Sequence, residues 1–248
     1  MLLKGKVAVV TGGSRGIGYA ICEEFLKEGA TVILCASREE TCQKAVQSLK
    51  AQNADWQVSG IYPNLANYQS VKEAFDKIEN EYGKIDILVN NAGISAQEPF
   101  TSYTEEMFDK VMDLNIKAVF NCSRAVVDGM KNRGYGVILN TSSMVSKHGQ
   151  PSGVAYPTSK FAVNGFTLSL ARELGPYGIR VNAVAPGITE TDMLKQVPKE
   201  VIEPLIKQIP LRRVGTPTDV ANAFVFLASD KASYISGIVL SVDGLARS

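Results

Sequence analysis

The sequence has few of the residues that build metal sites and disulfide frameworks. Its 248 residues include one histidine and four cysteines, and Cys22, Cys35, Cys42 and Cys122 show neither Cys-x-x-Cys nor His-paired spacing. We therefore expect no metal site and four reduced, buried thiols. Charge of one sign is also scarce, since 26 basic and 25 acidic residues leave a net charge of +1. This balance predicts neither nucleic acid nor an anionic membrane as a partner.

Long apolar runs are missing too. No apolar segment approaches the length that spans a bilayer, and residues 1–6 lead into a strand pattern without the apolar core of a signal peptide. The protein is therefore expected to be cytoplasmic, without membrane insertion. No linker, repeat or low-complexity tract divides the sequence, so residues 1–248 are predicted to form a single domain.

The chain does contain a regular alternation of short apolar segments with longer amphipathic ones. The apolar segments, such as Val-Ala-Val-Val at 7–10, are nearly continuous, which is typical of parallel strands buried on both faces. Strands are expected at 6–11, 31–35, 57–62, 85–90, 136–141, 180–185 and 237–242. Helices are expected at 16–28, 39–52, 68–82, 105–133, 154–177 and 218–229. This order predicts an α/β fold, a single doubly wound (Rossmann-type) domain whose seven-stranded parallel sheet has helices on both faces.

A glycine-rich turn follows the first predicted strand. From Thr11 to Gly18 it reads Thr-Gly-Gly-Ser-Arg-Gly-Ile-Gly, and it opens the first predicted helix. Glycines here allow a tight turn and a close approach of the backbone to a pyrophosphate, and the helix N-terminus attracts that anion. We therefore predict a dinucleotide site with the cofactor-binding residues Gly12, Ser14, Arg15, Gly16, Ile17 and Gly18.

The end of the second strand predicts which dinucleotide binds. A carboxylate there selects the ribose 2′-hydroxyl of NAD, whereas basic groups accommodate the 2′-phosphate of NADP. Here the strand is followed by Ser37 and Arg38, with no acidic residue before Glu39. Arg38 and Arg15, assisted by the Ser37 hydroxyl, can donate charge-assisted hydrogen bonds to that phosphate. The predicted cofactor is therefore NADP(H).

Three side chains form a candidate acid–base site. Tyr156 and Lys160 are four residues apart, so on a helix they share one face, and Ser143 lies thirteen residues before Tyr156. A cation beside a phenol favours the phenolate, so Lys160 is expected to lower the pKa of Tyr156 from about 10. Two hydroxyl donors aimed at one oxygen stabilise the negative charge that develops there during hydride transfer to a carbonyl. His148 is interpreted as a loop residue, with a substrate contact as the alternative.

The order of these motifs resembles that of the short-chain dehydrogenase/reductase family over essentially the whole chain. The resemblance rests on the glycine turn, Asn-Asn-Ala-Gly at 90–93, Asn115, Ser143, Tyr156 with Lys160, and Pro186-Gly187. It implies that Ser143 polarises the substrate oxygen and that Tyr156 is the general acid–base. Lys160 would lower the pKa of Tyr156 and hold the nicotinamide ribose. Asn115 would anchor a water that feeds a proton relay.

The same resemblance implies further contacts. Asn91, Ala92 and Gly93 would line the cofactor near its adenosine half. The nicotinamide end would be held by Pro186, Gly187, Ile188, Thr189 and Thr191. Family members are mostly homotetramers, so a homotetramer or homodimer is expected, with subunit contacts built by the helices predicted at 105–133 and 154–177.

Two positions depart from the family pattern. The third strand is usually followed by Asp-Val, whose carboxylate meets the adenine amino group, but this chain has Asn64-Leu65. The amide oxygen of Asn64 is expected to accept the same bond. Pro157 directly follows Tyr156, and we expect it to hold Tyr156 in extended geometry at or before the first helical turn.

The expected substrate is a small hydrophobic carbonyl or alcohol. Residues 151–160 and 241–244 are similar to those of bacterial bile-acid 3α-hydroxysteroid dehydrogenases, which favours a hydroxysteroid. The overall pattern also resembles 3-oxoacyl-(acyl-carrier-protein) reductases of fatty-acid synthesis. Those enzymes usually carry basic residues where this chain has Gly134 and Tyr177, although Arg133 and Lys131 lie close by. This difference weakens the carrier-protein interpretation. A non-catalytic NADP(H)-sensing protein is a remote alternative, since fold alone does not fix function.

Residues 189–211 are expected to form a lid over the substrate. Apolar side chains recur there at roughly helical spacing, namely Met193, Leu194, Val197, Val201, Ile202, Leu205 and Ile206. Loops of this kind exclude water and set specificity. Ordinary core packing is the alternative explanation for the same pattern.

Overall fold

The strands form one parallel sheet. The structure, a computed structural model, describes residues 1–191 and 199–246. The strands are β1 (Val7–Thr11), β2 (Thr31–Cys35), β3 (Val58–Ile61), β4 (Ile87–Asn90), β5 (Gly136–Thr141), β6 (Ile179–Pro186) and β7 (Val239–Val242). Their order across the sheet is β3-β2-β1-β4-β5-β6-β7. The predicted fold class is thereby confirmed. Strand ends differ from prediction by up to two residues; β7 begins late because Gly237, with φ of +80°, has left-handed geometry.

Helices cover both faces of this sheet. They are α1 (Gly16–Lys27), α2 (Glu39–Gln52), α3 (Tyr68–Tyr82), α4 (Glu105–Met112), α5 (Ala118–Arg133), α6 (Val145–His148), α7 (Ala155–Leu174), α8 (Lys199–Gln208) and α9 (Pro217–Ala228). The helix predicted at 105–133 is interrupted by a π-helical turn, Asp113–Lys117. The loop interpretation of His148 is wrong, because His148 is the last residue of α6. In the described part of the chain, no helix is both long enough and apolar enough to cross a membrane.

Each face of the sheet has its own apolar core. Phe25 of α1 and Phe224 of α9 pack on one face, and Phe75 of α3 and Val126 of α5 pack on the other. All four side chains are at most 1% exposed. Full burial of a side chain of this size contributes about 1.5–3 kcal/mol relative to an exposed position. Burial on both faces explains why the strands are nearly continuous apolar runs.

The sheet order places a crevice beside β1. β1 pairs with β2 on one side and with β4 on the other. Strands 1 to 3 are therefore added in one direction across the sheet, and strands 4 to 7 in the other. In doubly wound sheets the loops at the carboxyl ends of such strands diverge and leave room for a ligand. The predicted site residues outside the helices lie in the loops after β1 to β6, apart from Pro186, which ends β6.

Candidate active site

The glycine turn is tightly packed against its surroundings. Gly12 has φ of +66°, and a Cβ there would lie 3.0 Å from the Cα of Ala92. A Cβ at Gly18 would overlap the Gly12 carbonyl oxygen, so α1 can approach the turn only with glycine at that position. Within the described residues, no side chain caps the first turn of α1, which leaves its N–H groups for an anion.

A cavity of about 740 Å³ opens beside this turn. Thirteen of the predicted cofactor residues line it, namely Gly12, Ser14, Arg15, Gly16, Ile17, Gly18, Ser37, Asn64, Leu65, Asn91, Ala92, Gly93 and Thr191. Prediction missed other lining residues, namely Cys35, Ala36, Tyr62, Pro63, Ala66, Ile94 and Leu114. Most of these are apolar and carry no motif, so only the fold reveals their position. The size and the uncapped helix end fit a dinucleotide with its pyrophosphate on α1.

Asn91 links the glycine turn after β1 to the end of β5 through hydrogen bonds. Its Nδ2 donates to the carbonyl oxygens of Thr11 (3.1 Å) and Gly12 (3.3 Å), and its Oδ1 accepts from the Thr141 hydroxyl at 3.3 Å. The Thr11 hydroxyl in turn accepts from the N–H groups of Asn91 and Ala92. The Asn91 amide therefore shapes the cavity by holding its wall.

The loops after β2 and β3, where the adenosine is predicted to bind, line part of the cavity. Arg15 lines the cavity and is exposed, whereas Arg38 lies outside the described lining, as the exposed N-cap residue of α2 beside Ser37. The Asn64 Oδ1 already accepts a hydrogen bond from the N–H of Ala66 at 3.1 Å. A carboxamide oxygen has two lone pairs, so one acceptor position remains for an adenine amino group.

The structure brings Ser143, Tyr156 and Lys160 together at the carboxyl end of β5. Ser143 lies two residues after β5, and Tyr156 is the second residue of α7, with Lys160 one turn later. The Lys160 Nζ donates to the Thr141 carbonyl oxygen at 2.7 Å and lies 5.5 Å from the centroid of the Tyr156 ring. Pro157 sits in the first turn of α7, where its missing N–H costs nothing. Tyr156 is thus in the first turn as expected, but its backbone is helical and not extended.

Burial controls the ionisation of both residues. It raises the pKa of the Tyr156 phenol, and contact with the Ser143 hydroxyl opposes this in part. It also lowers the pKa of Lys160 from 10.5 to about 8. The direction for Tyr156 is opposite to the expected one. The spacing in the sequence places the charge of Lys160 beside the phenol, but it does not reveal the loss of water around the phenol, which has the larger effect on the pKa.

Asn115 is held at the centre of the π-helical turn. Its side chain is 1% exposed. Its Oδ1 accepts from the N–H of Ile94 and its Nδ2 donates to the carbonyl oxygen of Ile94, both at 2.9 Å, and Nδ2 also donates to the Ser159 hydroxyl at 3.0 Å. Asn115 therefore fastens the loop after β4 to the helix that carries Tyr156. Its role in a water relay stays a prediction.

The residues predicted at the nicotinamide end lie at the end of β6 and after it. Pro186 is the last residue of β6, and its carbonyl oxygen accepts from the N–H of Met144, next to Ser143. A Cβ on Gly187 would lie 2.7 Å from the Cα of Asp243, so that position also requires glycine. The segment then pairs with Gly215, because the Ile188 carbonyl oxygen accepts from the N–H of Gly215 and Thr189 forms a parallel bridge with Gly215.

Part of the predicted lid lies outside the described residues. Met193, Leu194 and Val197 belong to 192–198, and for Val201 and Ile202 only the helical backbone is described. The described remainder, α8 and the residues after it, leads back to Gly215, beside the start of the segment at Thr189.

Comparison with known proteins identifies the family. The sequence matches the short chain dehydrogenase family over residues 6–201. It is 59% identical over 248 residues to a 3alpha-hydroxysteroid dehydrogenase of Mediterraneibacter gnavus, covering 100% of this chain and 99% of that protein. It is 41% identical over 244 residues to a 3-oxoacyl-(acyl-carrier-protein) reductase of Thermotoga maritima, covering 98% of each. The structure matches that of a 3-oxoacyl-(acyl-carrier protein) reductase from Brucella melitensis with a TM-score of 0.93 and 34% identity, covering 98% of this chain and 91% of that chain. The chain therefore belongs to the short-chain dehydrogenase family of oxidoreductases, which use a nicotinamide cofactor.

Proposed function

We propose that the protein is an NADP(H)-dependent oxidoreductase that transfers hydride reversibly between the nicotinamide and a hydroxysteroid or its ketone. The observation that carries the proposal is that the acid–base cluster adjoins the cavity at Gly93. A Cβ on Gly93 would lie 3.7 Å from Lys160 Nζ and 3.1 Å from Asn115 Oδ1. Cofactor and substrate oxygen would thus be held next to each other, as hydride transfer requires.

The roles of the side chains follow from their chemistry. When bound, the nicotinamide supplies or accepts the hydride. In carbonyl reduction the Tyr156 phenol donates a proton to the substrate oxygen, and the Ser143 hydroxyl donates a second hydrogen bond to it. In alcohol oxidation the same phenol oxygen, as phenolate, takes the proton. The buried Lys160 ammonium compensates the negative charge that remains on Tyr156 after each proton donation.

The preference for NADP(H) is supported by the basic groups at the adenosine end. Replacing Arg38 by Asp should lower kcat/KM for NADPH by roughly tenfold and raise it for NADH, because an exposed charge-assisted hydrogen bond is lost and a ribose acceptor is gained. Steady-state kinetics with both cofactors measure the ratio. Lys50→Asp is the control, since it makes the same charge change at the other end of α2 and should leave the ratio unaltered. Wild-type enzyme that uses NADH as well as NADPH would contradict the proposal.

The steroid substrate is supported by the 59% identity to a 3alpha-hydroxysteroid dehydrogenase over the whole chain. A ketoacyl thioester is the second candidate, supported by the 41% identity to a 3-oxoacyl-(acyl-carrier-protein) reductase. Gly134 ends α5 with a left-handed turn, and Tyr177 lies under the Lys131 ammonium at 3.9 Å. These two positions, where carrier-protein reductases usually have basic residues, are uncharged here, but Lys131 lies on Tyr177, so the steroid proposal rests on the sequence identity.

A substrate panel tests this proposal. With NADPH absorbance as the signal, we expect kcat/KM for a 3-ketosteroid to exceed that for a ketoacyl thioester by at least about tenfold, a difference of about 1.4 kcal/mol in transition-state binding. The reverse ratio would establish the ketoacyl reductase instead. NADPH binding without turnover of any carbonyl would establish the sensing protein.

A lid and subunit contacts complete the proposal. We take 189–211 as a substrate lid anchored by the Thr189–Gly215 bridge, with Leu205 on its exposed surface.

We also propose a homotetramer or homodimer joined through α5 and α7. Large apolar side chains are exposed on those helices, Phe120 at 52% and Phe161 at 50%. Exposed apolar side chains of this size favour a covered interface, and sedimentation measures its stoichiometry.

A further inference from the structure

Two loops beside the acid–base cluster are joined at one buried glycine. The loop after β4 and the loop after α6 both lie at the carboxyl edge of the sheet, since β4 and β5 are neighbours. Gly153, in the second loop, is buried and donates its N–H to the Glu98 carbonyl oxygen in the first at 3.0 Å. Its carbonyl oxygen accepts from Gln150 Nε2, also at 3.0 Å.

Gly153 cannot carry a side chain where it stands. Its φ of +76° is in the left-handed region, and a Cβ would overlap the carbonyl oxygen of Ala96, a backbone atom that cannot rotate away. Gly149 makes a useful comparison in the same loop. Its φ is +75°, yet a Cβ there would meet nothing within 4 Å. The two glycines both have a positive φ, but only Gly153 is in close contact with the neighbouring loop.

The Gly153 peptide also supports Tyr156. The N–H of Tyr156 donates to the Gly153 carbonyl oxygen at 3.3 Å, at the start of α7. Any shift of Gly153 away from Ala96 therefore moves either the loop after β4 or the first turn of α7. That first turn carries the phenol, whereas Ala96 and Glu98, which Gly153 contacts, are not among the described residues that line the dinucleotide cavity.

We propose that Gly153 is a positioning residue, which sets the placement of the Tyr156 phenol by locking the start of α7 against the loop at 94–98. This inference rests on the proposed role of Tyr156 as acid–base. It assigns Gly153 no contact with substrate or cofactor. Its consequence is that a single methyl group at 153 disturbs proton transfer and leaves dinucleotide binding intact.

The test compares Gly153→Ala with Gly149→Ala, using a 3-ketosteroid and NADPH. Both variants place alanine at a positive φ, so both should lose thermal stability, and both should bind NADPH with unchanged affinity by fluorescence. Gly153→Ala must also move backbone by about 1 Å, which costs about 100-fold in kcat when reacting groups are misplaced. Its pH profile for kcat should shift, because the surroundings of the phenol change. Gly149→Ala should keep at least half of the wild-type kcat.

Equal kcat values for the two variants would overturn the inference. If Gly153→Ala fails to fold, Gln150→Ala removes the hydrogen bond to the Gly153 carbonyl oxygen without adding backbone strain. This variant should lower kcat about threefold at constant NADPH affinity. An unchanged kcat in Gln150→Ala would also overturn the inference. Tyr156→Phe is measured in parallel. An active Tyr156→Phe enzyme, or a wild type that does not turn over the ketosteroid, would refute the proposed function and not the positioning role of Gly153.

Discussion

Replacing Tyr156 by Phe is expected to lower kcat at least about 1,000-fold while the affinity for NADPH stays within twofold. The phenol oxygen is the proposed proton donor, and general acid catalysis contributes about 100- to 10,000-fold. Phenylalanine keeps the ring and its packing in the first turn of α7. Ser143 retains its hydroxyl, but a serine hydroxyl is a far weaker acid than a phenol. Single-turnover kinetics and fluorescence binding separate the two effects.

The control for this variant is Tyr103→Phe. The Tyr103 hydroxyl is buried without a hydrogen-bond partner among the described residues, so its removal should leave kcat within twofold. A Tyr156→Phe enzyme that keeps a tenth of wild-type kcat would contradict the mechanism.

The wild-type pH profile gives a second check. Because burial raises the pKa of Tyr156, the phenol is protonated at neutral pH. Ketone reduction should therefore hold its rate there and fall only in alkaline solution, whereas alcohol oxidation should rise with pH.

The sheet could be predicted because its determinants are local. Strands buried on both faces need nearly continuous apolar runs, and these runs stand out between amphipathic helices. The π-helical turn could not be predicted in the same way. It holds Asn115 against Ile94 and Ser159, which are 21 and 44 residues away in sequence. Such a break is set by tertiary contacts and has no signal in the helical period.

The site was predictable where its chemistry resides in side chains with fixed spacing. Tyr156 and Lys160 fall on one face of α7, and the glycine turn lies on a cavity as expected. Two features were not predictable. The partner of the Lys160 ammonium is a backbone carbonyl, that of Thr141, and backbone groups are the same at every position. The raised pKa of Tyr156 depends on burial, which spacing does not reveal.

Replacing Lys160 by Met is expected to lower kcat at least about 100-fold and weaken NADPH binding without loss of stability. The catalytic loss follows because the ammonium that compensates the phenolate is gone. Stability is affected differently, because burial lowers the pKa of Lys160 from 10.5 to about 8, so the folded state holds this charge at a cost of about 3 kcal/mol. The variant also loses the hydrogen bond that Lys160 donates to the Thr141 carbonyl oxygen, which costs the variant roughly 1–3 kcal/mol. The variant should therefore melt at the wild-type temperature or up to about 4 °C above it at pH 7.

The pH dependence of this difference distinguishes a buried charge from ordinary packing. Below pH 8 both the folded and the unfolded wild type hold the proton, so the full cost of burying the ammonium is present. Between pH 8 and 10.5 the folded state releases the proton while the unfolded chain still binds it, and wild-type stability rises with pH relative to the variant. The advantage of Lys160→Met should therefore shrink across this window, as chemical denaturation at several pH values would record. Lys44→Met, at an exposed ion pair with Glu40, should show no such trend. A variant several degrees less stable than wild type at pH 7 would mean that the Lys160 ammonium stabilises the fold, and that its retention needs no catalytic explanation.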